Sequence, residues 1–344
     1  MSEVASFLLV TIDTECDKTA TWHAAAPLGF KAVVEAVPNR LQPLFADFGI
    51  RPTYLLSPEI LTHPESCAVL REARDVELAA HLHGEYLLPQ MKSGGLAGSR
   101  TKDMQWEYAP QLERAKLAVL TELFIQQFGS APKSFRAGRF GAGRHTARFL
   151  QELGYVIDSS VTPHIRWTSQ NGKKRPDYRR SDEMPYTLGP EGDIWRHGKS
   201  DFLELPITVV LAGALEGTDS RQPVWFRPWH SDTDMLINVL NYVLGQPTRG
   251  GVHRPLVMMF HNVELVPGAS PYPQTEEEVM RYLDSLKRVF DYAEKRGLRS
   301  CTMTEYHSAY MAGREAGPDN RASGSRRENA LLHRLRRRER TSHG

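Results

Sequence analysis

Residues 7–17 read FLLVTIDTECD, six apolar or β-branched residues that turn abruptly into acids. A short run of this kind reads as a buried strand, and the acids mark the end at which it leaves the sheet. No Gly-rich turn follows, and neither GxGxxG nor GxxxxGK[ST] occurs where a dinucleotide or nucleoside triphosphate site would need it. Further along, the pattern repeats. Strands are expected over 53–56, 76–83, 134–137, 155–159, 202–208, 256–261 and 298–303. Helices, with apolar residues at three- and four-residue spacing, are expected over 31–48, 58–73, 107–128, 145–153, 231–244 and 275–296. Repeated βα units imply a parallel sheet covered by helices, and seven or eight of them favour a closed barrel over an open doubly wound sheet.

The composition agrees with a large α/β domain. The chain has 344 residues, 40% hydrophobic and 24% charged, with 43 Lys and Arg against 41 Asp and Glu. A net charge of +2 supplies no general drive toward nucleic acid or an anionic membrane. The last stretch differs. From Gly313 onward nine Arg face four acids, so the expected division is a barrel domain over 1–312 and a basic, disordered tail over 313–344. Three scattered cysteines, Cys16, Cys67 and Cys301, suit neither a disulfide framework nor a thiolate zinc cluster, and a reducing compartment is expected. The first residues lack a basic segment and a small-residue cleavage site, and no later stretch has the roughly 20 apolar residues of a membrane span. A cytoplasmic protein is therefore expected.

Long irregular segments follow strands, over 84–106, 163–201, 209–229 and 262–274. In a βα barrel such loops open on the C-terminal face, where active sites are built. The longest contains Trp167, Tyr178, Tyr186 and Trp195 among Arg and Lys residues. That mixture suits stacking on a polar ligand such as a sugar ring, or else a solvated insertion with a few anchoring aromatics.

The same strand ends carry the chemistry. In TIDTE, Asp13 and Glu15 share one face, and two carboxylates there repel unless a cation or a proton stands between them; otherwise one of them turns to solvent or caps the next segment. In ELAAHLHGE, His81 and His83 also share a face, and two imidazoles at that spacing can reach one ion such as Zn²⁺. Glu85 continues that face. In SFRAGRFGAG, Arg136 and Arg139 flank a small-residue turn, and an Arg beside a carboxylate keeps it ionised. Asp158, in YVIDSS, is either a helix cap or the partner that orients an imidazole. LVMMFHNVEL brings His261 to the barrel mouth, where general acid is the natural role for a histidine. Glu264 either orients it or satisfies the loop.

Taken in order, TIDTE, ELAAHLHGE, FRAGRFG, GYVIDSS and MMFHNVE, spread over residues 5–310, resemble the motif series of the polysaccharide deacetylase family, the NodB-homology carbohydrate esterases. The resemblance implies an α/β fold, a distorted (β/α)7-8 barrel, holding one divalent metal ion, usually zinc. Asp13 would be the general base, and Glu15 or Asp13 would join His81 and His83 as metal ligands. Arg136 or Arg139 would support the base, and His261 would protonate the leaving amine. The chain departs from the family in three places. It has Asp13-Thr14-Glu15 where adjacent aspartates are usual. Four residues after His81 stands Glu85 rather than a second histidine, so either His83 or Glu85 completes the set. Asp158 lies closer to the preceding Gly-Tyr than the family's orienting Asp. The implied activity is removal of an N-acetyl group from an amino sugar or glycan precursor, with no nucleic acid partner. The alternatives are a related amidohydrolase acting on another linear C–N bond, and a sugar-binding barrel that no longer catalyses.

Overall fold

The opening run forms a strand that is buried from Leu8 onward, which is why it is apolar almost throughout instead of alternating. In this computed structural model, which describes residues 6–87, 102, 104–169, 172–189, 194–248 and 254–315, eleven strands are present among the described residues. They are β1 (Phe7–Thr14), β2 (Thr53–Leu56), β3 (Glu77–Leu82), β4 (Ser134–Ala137), β5 (Ile157–Asp158), β6 (Tyr186–Thr187), β7 (Leu203–Glu204), β8 (Val209–Leu211), β9 (Pro223–Trp225), β10 (Leu256–His261) and β11 (Arg299–Ser300). The main sheet runs β10, β1, β2, β3, β4, β5, β7, β6, and β11 lies beside the start of β1. Every pairing in it is parallel except β6 on β7.

The chain leaving β7 spans the gap between the two ends of this sheet. Ile207 N–H donates to Val161 O at 2.9 Å, Thr208 N–H donates to Val257 O at 3.2 Å, and Val257 N–H returns a bond to Thr208 Oγ1 at 2.9 Å. The fold is thus the expected α/β distorted barrel, with its seam held by point contacts in place of a ladder.

Helices form on the expected segments, and their differences from expectation have local causes. The segment 58–73 splits into Pro58–Leu61 and Pro64–Glu72, because Pro64 lacks the N–H that would continue the first helix. Segment 31–48 stays helical through Pro38 by widening its turns over Ala32–Leu41 before Gln42–Asp47. The helix Glu276–Lys295 begins at a reciprocal Thr275 and Glu278 cap and buries Val279, Leu286, Val289, Phe290 and Ala293 on one stripe.

The expected strand over 298–303 is shorter, ending at Ser300. A further helix, Met303–Glu315, starts there instead. Thr302 and Glu305 exchange N-terminal hydrogen bonds, Thr302 N–H to Glu305 Oε2 at 3.0 Å and Glu305 N–H to Thr302 Oγ1 at 3.3 Å. This helix runs three residues past the expected boundary at 312. The rest of the basic tail, 316–344, and most of loop 84–106 lie outside the described residues. Among the described residues no helix is long and apolar enough to cross a membrane.

Register decides which side chains meet. Asp13 lies opposite His261 on β10 and opposite Leu55 on β2, Leu55 opposite Ala79, and His81 opposite Arg136. Since residues two apart share a face, Thr11, Asp13, His81, Arg136, Ser159 and His261 all face the barrel interior at its C-terminal end.

Candidate active site

Asp13 and Glu15 are almost fully buried and adjacent, a costly arrangement that the chain offsets with one cation each. Arg136, itself fully buried, places Nη1 2.5 Å from Asp13 Oδ1. Its other donors are fixed by Ser159 O at 2.9 Å, Thr11 Oγ1 at 2.8 Å and Ser159 Oγ at 3.1 Å. Lys18, buried in the loop after β1, places Nζ 2.7 Å from Glu15 Oε2. Asn262 locks the backbone of Glu15 from both sides, accepting its N–H at 2.8 Å and donating to its carbonyl at 2.9 Å.

Each carboxylate therefore spends one oxygen on a fixed cation and turns the other toward imidazoles. Glu15 Oε1 stands 3.3 Å from His81 Nε2, 3.1 Å from His83 Nε2 and 3.8 Å from His261 Nε2. Asp13 Oδ2 stands 3.8 Å from His81 Nε2 and 3.9 Å from His261 Nε2. Burial alone would raise both carboxyl groups. For Asp13 the Arg136 guanidinium, with His81 and His261, outweighs burial and holds it below its ordinary value. For Glu15 the Lys18 ammonium and His83 do the same, and hold it well below.

The imidazoles are oriented from behind. His81 Nδ1 lies 2.9 Å from the carbonyl oxygen of Arg136, an atom that can only accept, so Nδ1 carries the proton. His83 Nδ1 lies 3.4 Å from Glu85 Oε1 and 3.2 Å from Arg139 Nη1, and Arg139 also pairs with Glu85. His261 Nδ1 lies 3.1 Å from Glu264 Oε1, whose other partners are Arg227 at 2.8 Å and, through Oε2, the Tyr282 hydroxyl at 3.1 Å. Burial disfavours a charged His83, but the carboxylates of Glu15 and Glu85 prevail and raise it to about 10. Burial likewise opposes charge on Glu85, and Arg139 with His83 brings it down to about 2.

Glu15, His81 and His83 offer one oxygen and two nitrogens within 4.8 Å of one another. With the proton of His81 on Nδ1, its Nε2 lone pair confronts a carboxylate oxygen at 3.3 Å, a contact that requires a proton or a cation between them. In a tetrahedral zinc site with ligand bonds of about 2.0–2.1 Å, neighbouring ligand atoms stand about 3.3 Å apart, and two histidines with one carboxylate form an open catalytic set. The residues present fit a divalent ion. Glu85 supports His83 from its Nδ1 side, and both imidazoles of HLH face Glu15.

The turn after β4 is shaped around His83. A Cβ on Gly138 would stand 2.6 Å from Leu82 O and 3.1 Å from the His83 ring, so only glycine lets the strand end and the imidazole approach this closely. Arg139 and Phe140 then take left-handed backbone, φ 52° and 53°, which directs Arg139 back to Glu85.

Asp158 stands apart from this cluster. Register pairs it with Phe135 and Glu204, the face opposite Arg136, and Ser159 takes the inner position. Ser160 Oγ donates to Asp158 Oδ1 at 2.7 Å, while Asp158 Oδ2 and Glu204 Oε2 are buried without a donor of their own. A proton held between the two carboxyl groups would satisfy both. Burial pushes Asp158 up to about 6, and burial together with the neighbouring Asp158 pushes Glu204 well above its ordinary value. Raised acids favour the folded state while protonated, so this contribution is complete below about pH 4 and is lost as pH rises through about 6 and beyond. Glu204→Gln should remove much of that loss. Between about pH 5 and pH 8 the wild type should lose on the order of 1–3 kcal/mol relative to the variant, read from paired denaturation curves. Curves that stay parallel across this range would exclude the shared proton.

Sequence reading missed three contributors. Lys18 lies three residues after Glu15 in an irregular loop, and nothing in the pattern announces its burial. Asn262 directly follows His261 at a buried strand end, a position from which a side chain can clamp the neighbouring strand. Arg227 sits in the long segment before β10, and only tertiary packing brings it to Glu264.

The fold and the cluster together define a βα-barrel protein with a buried histidine and carboxylate centre at its C-terminal face. No family model matches the chain, and no curated protein matches it. Among solved structures, the Puue allantoinase is 14% identical and aligns over 90% of this chain and 90% of its own, with a TM-score of 0.51. A family 4 carbohydrate esterase from Streptomyces lividans, in complex with acetate, is 9% identical over 88% of this chain and 94% of its own, with a TM-score of 0.42. A GH57-type branching enzyme from Pyrococcus horikoshii is 12% identical over 89% of this chain and 70% of its own, with a TM-score of 0.49. At these identities the likeness is one of fold.

Proposed function

We propose that the protein is a metal-dependent hydrolase that removes an N-acetyl group from an amino sugar or glycan precursor. The observation that carries this reading is the convergence of His81, His83 and His261 on the free oxygens of Asp13 and Glu15, whose other oxygens are held by Arg136 and Lys18. Glu15, His81 and His83 would hold one divalent ion, zinc by donor type, which when bound polarises an amide carbonyl and makes water more acidic. Asp13, kept ionised by Arg136, takes the proton of the attacking water on Oδ2. His261, steadied at Nδ1 by Glu264, gives a proton from Nε2 to the departing amine, without which the C–N bond would expel a poor leaving group. Arg139 acts at one remove, fixing Glu85 and through it the ring of His83.

One feature favours a second reading, hydrolysis of a smaller linear amide or ureide. Trp22 lies 4.9 Å from the His261 ring and Tyr272 lies 5.4 Å from Trp22, an aromatic wall that narrows the approach to the proposed acid. A panel of N-acetylated hexosamines, their oligosaccharides, sugar phosphates and small ureides separates the two. Acetate release from the sugars supports deacetylation, and turnover of the ureides alone would replace it with the second reading.

A further inference from the structure

The loops of this barrel face also enclose a cavity of about 680 Å³, lined by Trp106, Arg144, Lys174, Arg175, Trp195 and Arg196. The volume is that of a small-ligand site. Lys173 adds a fifth cation at its edge, with Nζ 5.7 Å from the centre of the Trp106 ring. Among the described lining residues the single acid is Asp177, and Arg179 already holds both of its oxygens, at 2.8 and 2.5 Å. The lining carries the exposed side chains of Arg144, Lys174 and Arg175 beside two indoles, one of which, Trp195, is 38% exposed.

The cavity is joined to the histidine cluster through one segment. Gly138 abuts the His83 ring, Arg139 pairs with Glu85, Gly141 O accepts the backbone N–H of Trp106 at 2.9 Å, and Arg144 reaches the lining. The opposite wall docks on that segment, with the Tyr178 hydroxyl donating to Phe140 O at 2.9 Å and Trp167 stacking on Phe140 at 5.2 Å.

We propose that this cavity holds the phosphate or pyrophosphate group of an anionic substrate, with an indole stacking on the ring attached to it. Guanidinium forks match phosphate oxygens two at a time, and a group carrying two or three negative charges suits this many cations better than one carboxylate does. The inference rests on the deacetylase reading only for what the held molecule undergoes. Substrate would be a phosphorylated or nucleotide-linked amino sugar, or one joined to a pyrophosphate carrier.

The test is titration of the full chain with inorganic phosphate, pyrophosphate and uridine diphosphate, followed by tryptophan fluorescence at about 0.15 M salt. Pyrophosphate should bind saturably and about tenfold more tightly than phosphate. The triple variant Arg144→Gln, Lys174→Gln, Arg175→Gln alters exposed side chains. It should weaken pyrophosphate by at least roughly tenfold, leaving melting temperature and turnover of an uncharged N-acetylated oligosaccharide unchanged. Uridine diphosphate binding more tightly than pyrophosphate identifies a nucleotide-linked sugar, and equal binding identifies a pyrophosphate carrier. Absence of saturable binding up to about 10 mM, or equal affinities in variant and wild type, would overturn the proposal. Binding is read without turnover. Pyrophosphate bound by a protein that releases no acetate counts against deacetylation alone, and acetate release with no pyrophosphate binding counts against this cavity alone.

Discussion

Replacing His261 with Ala should depress kcat by roughly 10²–10⁴, the loss expected when a positioned proton donor is removed, with metal content unchanged. The expectation follows from geometry. His261 Nε2 lies 3.8 and 3.9 Å from the carboxylate oxygens, outside the tighter group that Glu15 forms with His81 and His83, and its Nδ1 is fixed by Glu264. A histidine that only fills space would behave differently, lowering the melting temperature and sparing turnover in the protein that remains folded. A histidine that binds the ion would take metal and activity away together. Metal content, melting temperature and kcat measured on this one variant separate the three roles. A folded, metal-loaded His261→Ala protein with normal turnover would remove it from the mechanism.

Simultaneous His81→Ala and His83→Ala should reduce bound zinc from one equivalent per chain to background and abolish acetate release. Both imidazoles point Nε2 at the same oxygen, Glu15 Oε1, so no single neighbour replaces them. Both are buried, and circular dichroism on the variant shows whether the barrel survives. His83→Gln, which keeps a side chain able to bond Glu85, is the milder control and should lower zinc affinity while retaining the fold. One equivalent of zinc retained by the folded double variant would show that the ion sits elsewhere.

Much of this architecture was legible because the barrel puts chemistry at strand ends. The runs before Asp13, His81 and His261 are largely apolar where the sheet is covered, and turn polar where the side chains reach the mouth. The alternation rule also placed Asp13 with Glu15 and His81 with His83 before any contact was known. It could not place Asp158, because β5 pairs over only two residues and a shift of one residue moves a side chain to the other face. Ser159 holds the inner position and bonds Arg136, while Asp158 turns outward to Glu204.

Cationic partners were harder to read. Arg136 lies inside β4, where strand alternation fixes its face, but Lys18 and Arg227 come from irregular segments whose course depends on what they pack against. The expected strand over 202–208 likewise pairs as β7 only at Leu203–Glu204. Its apolar continuation, Leu205 and Ile207, is buried because the chain crosses the seam to β10. Hydrophobic pattern records that burial without distinguishing a ladder from a crossing.

The most direct measurement is acetate release from an N-acetylated amino sugar by wild-type protein stripped with a chelator and then titrated with zinc. Activity should vanish on stripping and return in proportion to zinc, levelling at one equivalent per chain. Full turnover by the stripped protein, or no turnover at any zinc loading on any N-acetylated sugar of the panel, would contradict the metal-dependent deacetylase.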